Sequence, residues 1–223
     1  MIDIHSHMLP GVDDGSPSLA VTKNILARYV EEGVDKVICT PHQNSALLRP
    51  ALLKERFAEL QGNVAEFPVG LYLGAELYYC ENIVDLLASG RFLTLAGTKY
   101  VLVEFSTRHE MVYIPDAVYE LSVAGYVPIV AHIERYPYFP LKQWAEVREN
   151  GGLIQLNASC FAKKENLGLA KKALKGGLVD FIASDAHGDV HRRVDFSAAK
   201  SFVNKKFPKY SDALFGSQNA LGL

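Results

Sequence analysis

Seven short runs of β-branched and apolar residues, each followed by a stretch with helical periodicity, constrain this chain more than any other feature. They are MIDIH (1–5), KVICT (36–40), VGLYLGAE (69–76), YVLVEF (100–105), VPIVAH (127–132), LIQLN (153–157) and DFIASD (180–185). Most are continuously apolar rather than alternating. Strands buried on both faces look like this, and such strands usually pair in parallel. A first helix is expected after Ser16, which can cap it, with Pro17 in its opening turn and Gly33 at its close. Its apolar stripe would be Ala20, Ile25, Leu26, Tyr29 and Val30. Further helices are expected over 51–66, 81–88, 115–124, 141–150, 166–175 and 195–205, with Gly125, Gly151–Gly152 and Gly176–Gly177 as stops before the next strand. Strand starts recur every 25 to 35 residues with no change of composition that would mark a linker. The pattern predicts one α/β domain over 1–223, either a β/α barrel or a doubly wound sheet.

Composition excludes several classes of function. The 23 Lys and Arg against 25 Asp and Glu leave no basic excess for a nucleic-acid surface. No apolar stretch approaches the ~20 residues of a membrane span, and the start of the chain lacks the basic and apolar regions of a signal peptide. Cys39, Cys80 and Cys160 are scattered and form no CxxC, against a disulfide frame or a thiolate zinc site. None has an arginine six positions later, so the CxxxxxR nucleophile of cysteine phosphatases is absent. A reducing, cytoplasmic setting is expected.

The reactive residues collect at one end of the expected strands. The first run ends in His5 and His7, with Asp13 and Asp14 in the loop behind; the second ends in TPH with His42. The third ends in GAE with Glu76, the fourth in VEF with Glu104, and the fifth in AHIER with His132 and Arg135. The sixth ends in Asn157, and the seventh in SDAH with Asp185 and His187. In a parallel barrel these ends share one rim, where such enzymes place their chemistry. Solvent decoration has no reason to favour one end of six strands out of seven. Five imidazoles and four carboxylates without a thiolate suit Mn²⁺, Fe²⁺, Co²⁺ or Zn²⁺. Nine side chains are too many for one ion and enough for two or three. Clustered divalent ions hydrolyse phosphate esters by clamping phosphoryl oxygens and lowering the pKa of a bound water.

Taken in order, DIHSH, the DDG loop, TPH, GAE, VEF, AHIER and SDAH resemble the polymerase-and-histidinol-phosphatase (PHP) superfamily. Within it they are most similar to the manganese-dependent protein-tyrosine phosphatases of bacterial capsule and exopolysaccharide loci. The motifs run from residue 3 to residue 187. The resemblance implies a distorted (β/α)7 TIM-like barrel with a trinuclear manganese site at the C-terminal strand ends. One ion would take His5, His7, Glu76 and Asp185; a second Glu104 and His132, with Glu76 bridging; a third Asp14, His42 and His187. Asp14 is preferred to Asp13 from its place in the DDG motif. Glu104 stands where many superfamily members have histidine, which favours the tyrosine-phosphatase branch.

The resemblance also implies phosphate-binding arginines, with Arg135 matching one, Arg192 another, and Arg193 a rival to Arg192. His109 and His191 are expected as exposed bystanders on rim loops. The implied reaction is phosphotyrosine hydrolysis on a protein partner, the tyrosine-rich tail of a bacterial tyrosine autokinase that controls polysaccharide export. Alternatives are a histidinol phosphatase or other small-molecule phosphoesterase, and a non-catalytic metal-binding regulator. Tyr78, Tyr79, Tyr113, Tyr136, Tyr138 and Phe139 supply aromatic surface near the rim, for gripping a ring or for packing.

Overall fold

The structure is a computed structural model that describes residues 1–44, 50–216 and 221. Its elements in chain order are β1 (Ile2–Ser6), α1 (Leu19–Glu31), β2 (Lys36–Cys39), β3 (His42–Gln43), α2 (Pro50–Asn63), β4 (Gly70–Leu73), β5 (Glu76–Tyr78) and α3 (Ile83–Ala88). There follow β6 (Tyr100–Glu104), α4 (Ile114–Val123), β7 (Val127–Val130), α5 (Trp144–Glu149), β8 (Leu153–Asn157), α6 (Lys164–Lys175), β9 (Phe181–Ala183), α7 (Ser197–Lys206) and α8 (Ser211–Phe215). Every strand pairing among the described residues is parallel, in the orders β1-β2-β4 and β3-β5-β6-β7-β8-β9. The fold is thus mixed α/β with a curled parallel sheet. Just past β9, Asp185 N donates to His5 O (2.9 Å) and His7 N to Ala186 O (2.8 Å), so the last strand's exit runs beside β1.

The continuous apolar strands have a plain cause. Ile2, Ile4, Ile38, Leu102, Ile129, Phe181 and Ala183 form an inner core enclosed by the sheet, capped by Leu95 and Leu221. Their neighbours in sequence, such as Val37, Val101, Val103 and Val130, pack outward against the helices. Both faces are dry, so both are apolar.

Three expectations are corrected. The run 69–76 is two strands, because the chain jogs at Gly74–Ala75 opposite a matching break at Thr40–Pro41. Pro41 has no N–H to give, yet the ladder carries on through Gly74 N to Cys39 O (2.8 Å) and Glu76 N to Pro41 O (3.1 Å). Secondly, α1 is capped by Ser18, whose side chain accepts from Val21 N, while Ser16 is buried against Thr22. Its inward stripe is Thr22, Ile25, Leu26 and Tyr29, at the helical i, i+3, i+4, i+7 spacing; Ala20 and Val30 face outward. Thirdly, the helix expected over 141–150 opens as a 3₁₀ turn (Leu141–Gln143) before the six residues of α5. Among the described residues, no helix is long and apolar enough to cross a membrane.

Candidate metal centre

The local path of β1 decides where its histidines point. Its register with β2 slips between Asp3 and Ser6. Such an irregularity re-aims the side chains that follow it. Ile2 and Ile4 face the inner core, and beyond the slip His5 and His7 also face inward, with their Nε2 atoms 3.1 Å apart. The DDG loop then folds back on His7: Ser16 N donates to His7 O (2.8 Å). Gly15 passes so near that a Cβ there would lie 2.0 Å from His7 O.

The other groups arrive from neighbouring strands in register. His42 pairs with Glu76 across β3 and β5, and Glu76 with Leu102, so that Glu104 follows one inward position later on β6. Glu76 is the hub. Its Oε2 lies 3.2 Å from His5 Nε2, 3.1 Å from His7 Nε2 and 3.1 Å from His42 Nδ1, and its Oε1 lies 2.9 Å from His132 Nε2. Glu104 flanks His132 at 3.5 Å and His42 at 3.6 Å. Asp185 Oδ1 lies 3.5 Å from His5 Nε2 and 3.6 Å from both His7 Nε2 and His187 Nδ1. Asp14 Oδ1 faces His42 Nε2 (3.4 Å) and His187 Nε2 (3.5 Å). Two residues reach the cluster through left-handed backbone, His132 at φ 28° and Asp185 at φ 53°. Such conformations cost energy and persist where the surroundings hold them.

All nine expected residues are therefore brought together. Three subsets have ligand atoms mutually close enough to hold an ion: His7, Asp14, His42 and His187; His5, His7 and Glu76; His42, Glu76 and Glu104. His42 and His7 each face two subsets, so the groups merge into one continuous cluster. The donor set also fits cations by what it leaves unsatisfied. Both Glu76 oxygens, Asp185 Oδ1 and His187 Nε2 are buried without a hydrogen-bond partner, although buried polar groups are nearly always paired. The Glu76 oxygens face the ring nitrogens of His5, His7, His42 and His132 at 2.9 to 3.2 Å, lone pairs on both sides, an arrangement that a divalent cation relieves.

The electrostatics agree. Burial alone would lower His5, but Glu76 and Asp185 outweigh it and raise the imidazole to about 9. Burial also opposes His7, which the adjacent carboxylates of Asp13 and Glu76 raise to about 10. Glu76 is held well below the usual carboxylate range by the surrounding imidazoles, against its own burial. His187 goes the other way: burial and the nearby positive charge of His7 and Arg192 lower it to about 4. Protons on His5 and His7 thus partly balance carboxylates that are built to face cations.

Two residues behind the cluster, Gln155 and Asp3, lie outside the expected set. Gln155, from the middle of β8, accepts from His132 N at 2.8 Å and faces His5 Nδ1 at 3.0 Å through the same Oε1. It donates to Asn157, which donates to Asp185 Oδ2 (2.9 Å). In the neutral ring, with Nδ1–H of His5 on Gln155, Nε2 is the nitrogen left to face the cluster, the orientation that outer partners impose on metal-binding imidazoles. Asp13 does the same for His7 Nδ1 at 2.8 Å and accepts from His42 N at 2.9 Å. This separates the two aspartates: Asp13 braces, Asp14 faces the cluster. Asp3, fully buried, ties β1 to α1 and β9 through Tyr29 and Ser184. A glutamine inside the apolar run LIQLN was the signal available in the sequence.

Arg192 donates to Asp185 Oδ2 at 2.7 Å, and Arg135 lies 3.5 Å from the same oxygen. Both guanidiniums stand half-exposed at the cluster's edge. Arg193 turns away toward Asp195 (3.8 Å). His109 and His191 are exposed, His109 against Ser106.

The family model for capsular polysaccharide synthesis, CpsB/CapC, matches residues 1–221. The chain belongs to the CpsB/CapC family. Among relatives of this CpsB/CapC chain, the tyrosine-protein phosphatase YwqE of Bacillus subtilis is 30% identical, over 93% of this chain and 85% of its own. The tyrosine-protein phosphatase CpsB of Streptococcus pneumoniae is also 30% identical, over 93% of this chain and 91% of its own. A crystal structure from work on YwqE and CpsB, described as unique metal-dependent tyrosine phosphatases, is similar with TM-score 0.88 and 26% identity, covering 98% of this chain and 96% of the other. Histidinol phosphate phosphatase from Lactococcus lactis, solved with zinc, L-histidinol and phosphate, shares the fold at TM-score 0.56 and 13% identity, with 92% of each chain covered.

Proposed function

We propose that this chain is a metal-dependent protein-tyrosine phosphatase. The observation that carries the reading is the convergence of His5, His7, Asp14, His42, Glu76, Glu104, His132, Asp185 and His187 on one cluster, buried at Glu76 and open at Asp14 and His42, with two half-exposed guanidiniums on Asp185. Three manganese ions are the proposed complement, with iron, cobalt or zinc as substitutes. His5, His7, Glu76 and Asp185 would hold one, Glu104 and His132 a second with Glu76 shared, and Asp14, His42 and His187 the third. Bound there, the ions supply Lewis acidity toward the phosphoryl group and an activated water.

The chain's own side chains do the rest. Arg192, hydrogen-bonded to Asp185 Oδ2, and Arg135, 3.5 Å from the same oxygen, meet the phosphoryl oxygens and balance their charge as the ester bond breaks. In their neutral form His5 and His7 keep the Nδ1 proton on Gln155 and Asp13, which leaves Nε2 bare. A tyrosine phenol has a pKa near ~10, so the phenolate leaves with little proton assistance. The substrate we propose is a phosphotyrosine protein, the tyrosine-rich tail of a bacterial autokinase tied to capsule or exopolysaccharide synthesis, in the cytoplasm. The architecture we propose for this chemistry is a distorted (β/α)7 barrel, closed where the exit of β9 meets β1, forming a single domain over 1–223.

Manganese-loaded protein is expected to hydrolyse a phosphotyrosine peptide faster than histidinol phosphate, to stop on chelation and to recover with manganese. Activity that survives exhaustive chelation would overturn the reading. Faster turnover of histidinol phosphate would move the assignment to the small-molecule branch, and bound metal with no phosphoester hydrolysis would favour the regulator.

A further inference from the structure

The rim aromatics are not equivalent. Tyr136 is sealed in the core, its hydroxyl accepting from Phe105 N (3.0 Å) and donating to Ala131 O (3.0 Å). Tyr79 and Phe139 are buried too. Tyr113 is tied to Glu146 (2.6 Å) and Tyr138 to Ser106 O (2.6 Å). Tyr78 differs: it is 38% exposed, a large ring left open to solvent.

Its direction follows from the sheet. Tyr78 pairs with Glu104 across β5 and β6, in a register that is regular from Glu76 onward. Residues paired across parallel strands point to the same face, and residues two apart on a strand share a face. Leu77 and Val103 between them pack in the outer core. Tyr78 therefore stands on the face that carries Glu76 and Glu104, one step nearer the rim than Glu76. Its hydroxyl reaches Met111 Sδ at 3.5 Å, and Met111, on the loop after β6, is itself 52% exposed. That loop is anchored by the Tyr138 hydroxyl on Ser106 O.

We propose that Tyr78 and Met111 form the wall that receives the aromatic ring of the substrate, making this site selective for aryl over alkyl phosphate esters. The inference rests on the phosphatase reading and names what selects its substrate. An exposed aromatic face and a thioether, beside a carboxylate of the cluster, offer offset stacking and sulfur–ring contact to a phenyl group but nothing specific to an alkyl chain. The guanidiniums contact Asp185, whereas Tyr78 and Met111 contact each other, so phosphoryl and ring are gripped by separate residues.

The test separates ring from phosphoryl. Methylphosphonate and phenylphosphonate carry the same anionic group and are not hydrolysed. Their binding to manganese-loaded protein is measured by calorimetry, with phosphotyrosine turnover followed separately. The unaltered protein is expected to favour phenylphosphonate by roughly tenfold, the order of one good ring contact. Tyr78→Ala and Met111→Ala should each erase most of that preference while methylphosphonate binds as before, and Tyr78→Phe should keep it. Equal loss of both ligands in the alanine variants would mean that Tyr78 merely supports Glu104, and would overturn the proposal. So would an unaltered protein that does not distinguish the two phosphonates. Absence of phosphotyrosine turnover alongside a ring preference lost in Tyr78→Ala would overturn the phosphatase reading and leave the aryl wall standing.

Discussion

Raising the pH during a metal titration should tighten binding steeply, by an amount that the site's own protons set. His5, raised to about 9, and His7, raised to about 10, both carry protons at pH 7.5 in the metal-free protein. An ion that takes both Nε2 atoms must expel both protons. Each costs ~1.36 kcal/mol for every pH unit by which the solution lies below the group's pKa. Together the two cost roughly 5 kcal/mol at pH 7.5 and roughly 3 kcal/mol at pH 8.5. The apparent association constant should therefore climb about a hundredfold per pH unit between about 7 and 9. His187, lowered to about 4, is already a bare donor and adds nothing to the slope. Calorimetry with manganese, in buffers of differing ionisation enthalpy, gives the proton count directly. About two protons released per chain at pH 7.5 is the expected result. A count near zero, or an affinity that is flat from pH 7 to 8.5, would refute the electrostatic picture of the site.

The same protons make the opposite prediction for metal-free protein. Groups raised in the folded state stabilise it fully below their unfolded pKa of about 6.5 and lose that contribution as the pH climbs through 9 to 10; with chelator present, Tm should fall across this interval, and a rise in scanning fluorimetry would contradict the shifts. Gln155→Leu keeps size but strips His132 N and His5 Nδ1 of their acceptor. It should cost about 1–3 kcal/mol of stability by denaturant titration and lower manganese affinity by ~10–100-fold; unchanged affinity would show that His5 orients itself. Gly15→Ala places a carbon 2.0 Å from His7 O, so a shift of the DDG loop, a loss of about 2 kcal/mol or more and failed metal uptake are expected. Gly62→Ala, with nothing within 4 Å, is the control that should fold and bind metal normally.

The sequence by itself determined the alternation of strand and helix, the parallel pairing and the identity of the cluster, because these depend on local pattern. Apolar runs must be buried on both faces, and imidazoles and carboxylates repeated at one end of such runs must meet when the strands are parallel. Even Gly33, at φ 67° after α1, was legible as a stop. Tertiary structure decided what no local pattern holds. The slip between Asp3 and Ser6 turns His5 and His7 to the side of Ile4, and strict alternation would have sent His5 to the opposite face. The break at Pro41 and Gly74 divides one expected strand into two, because an opposing chain sets where the ladder must bend. Asp13 and Asp14 have the same chemistry and adjacent places, and only the fold of the loop over His7 gives one the bracing role and the other the cluster. Arg192 and Arg193 part in the same way, at a left-handed turn with φ 49° at Arg192 that sends one guanidinium to Asp185 and the other to Asp195. Which residues gather is a matter of pattern and burial; which way each one faces depends on backbone geometry and partners distant in the chain.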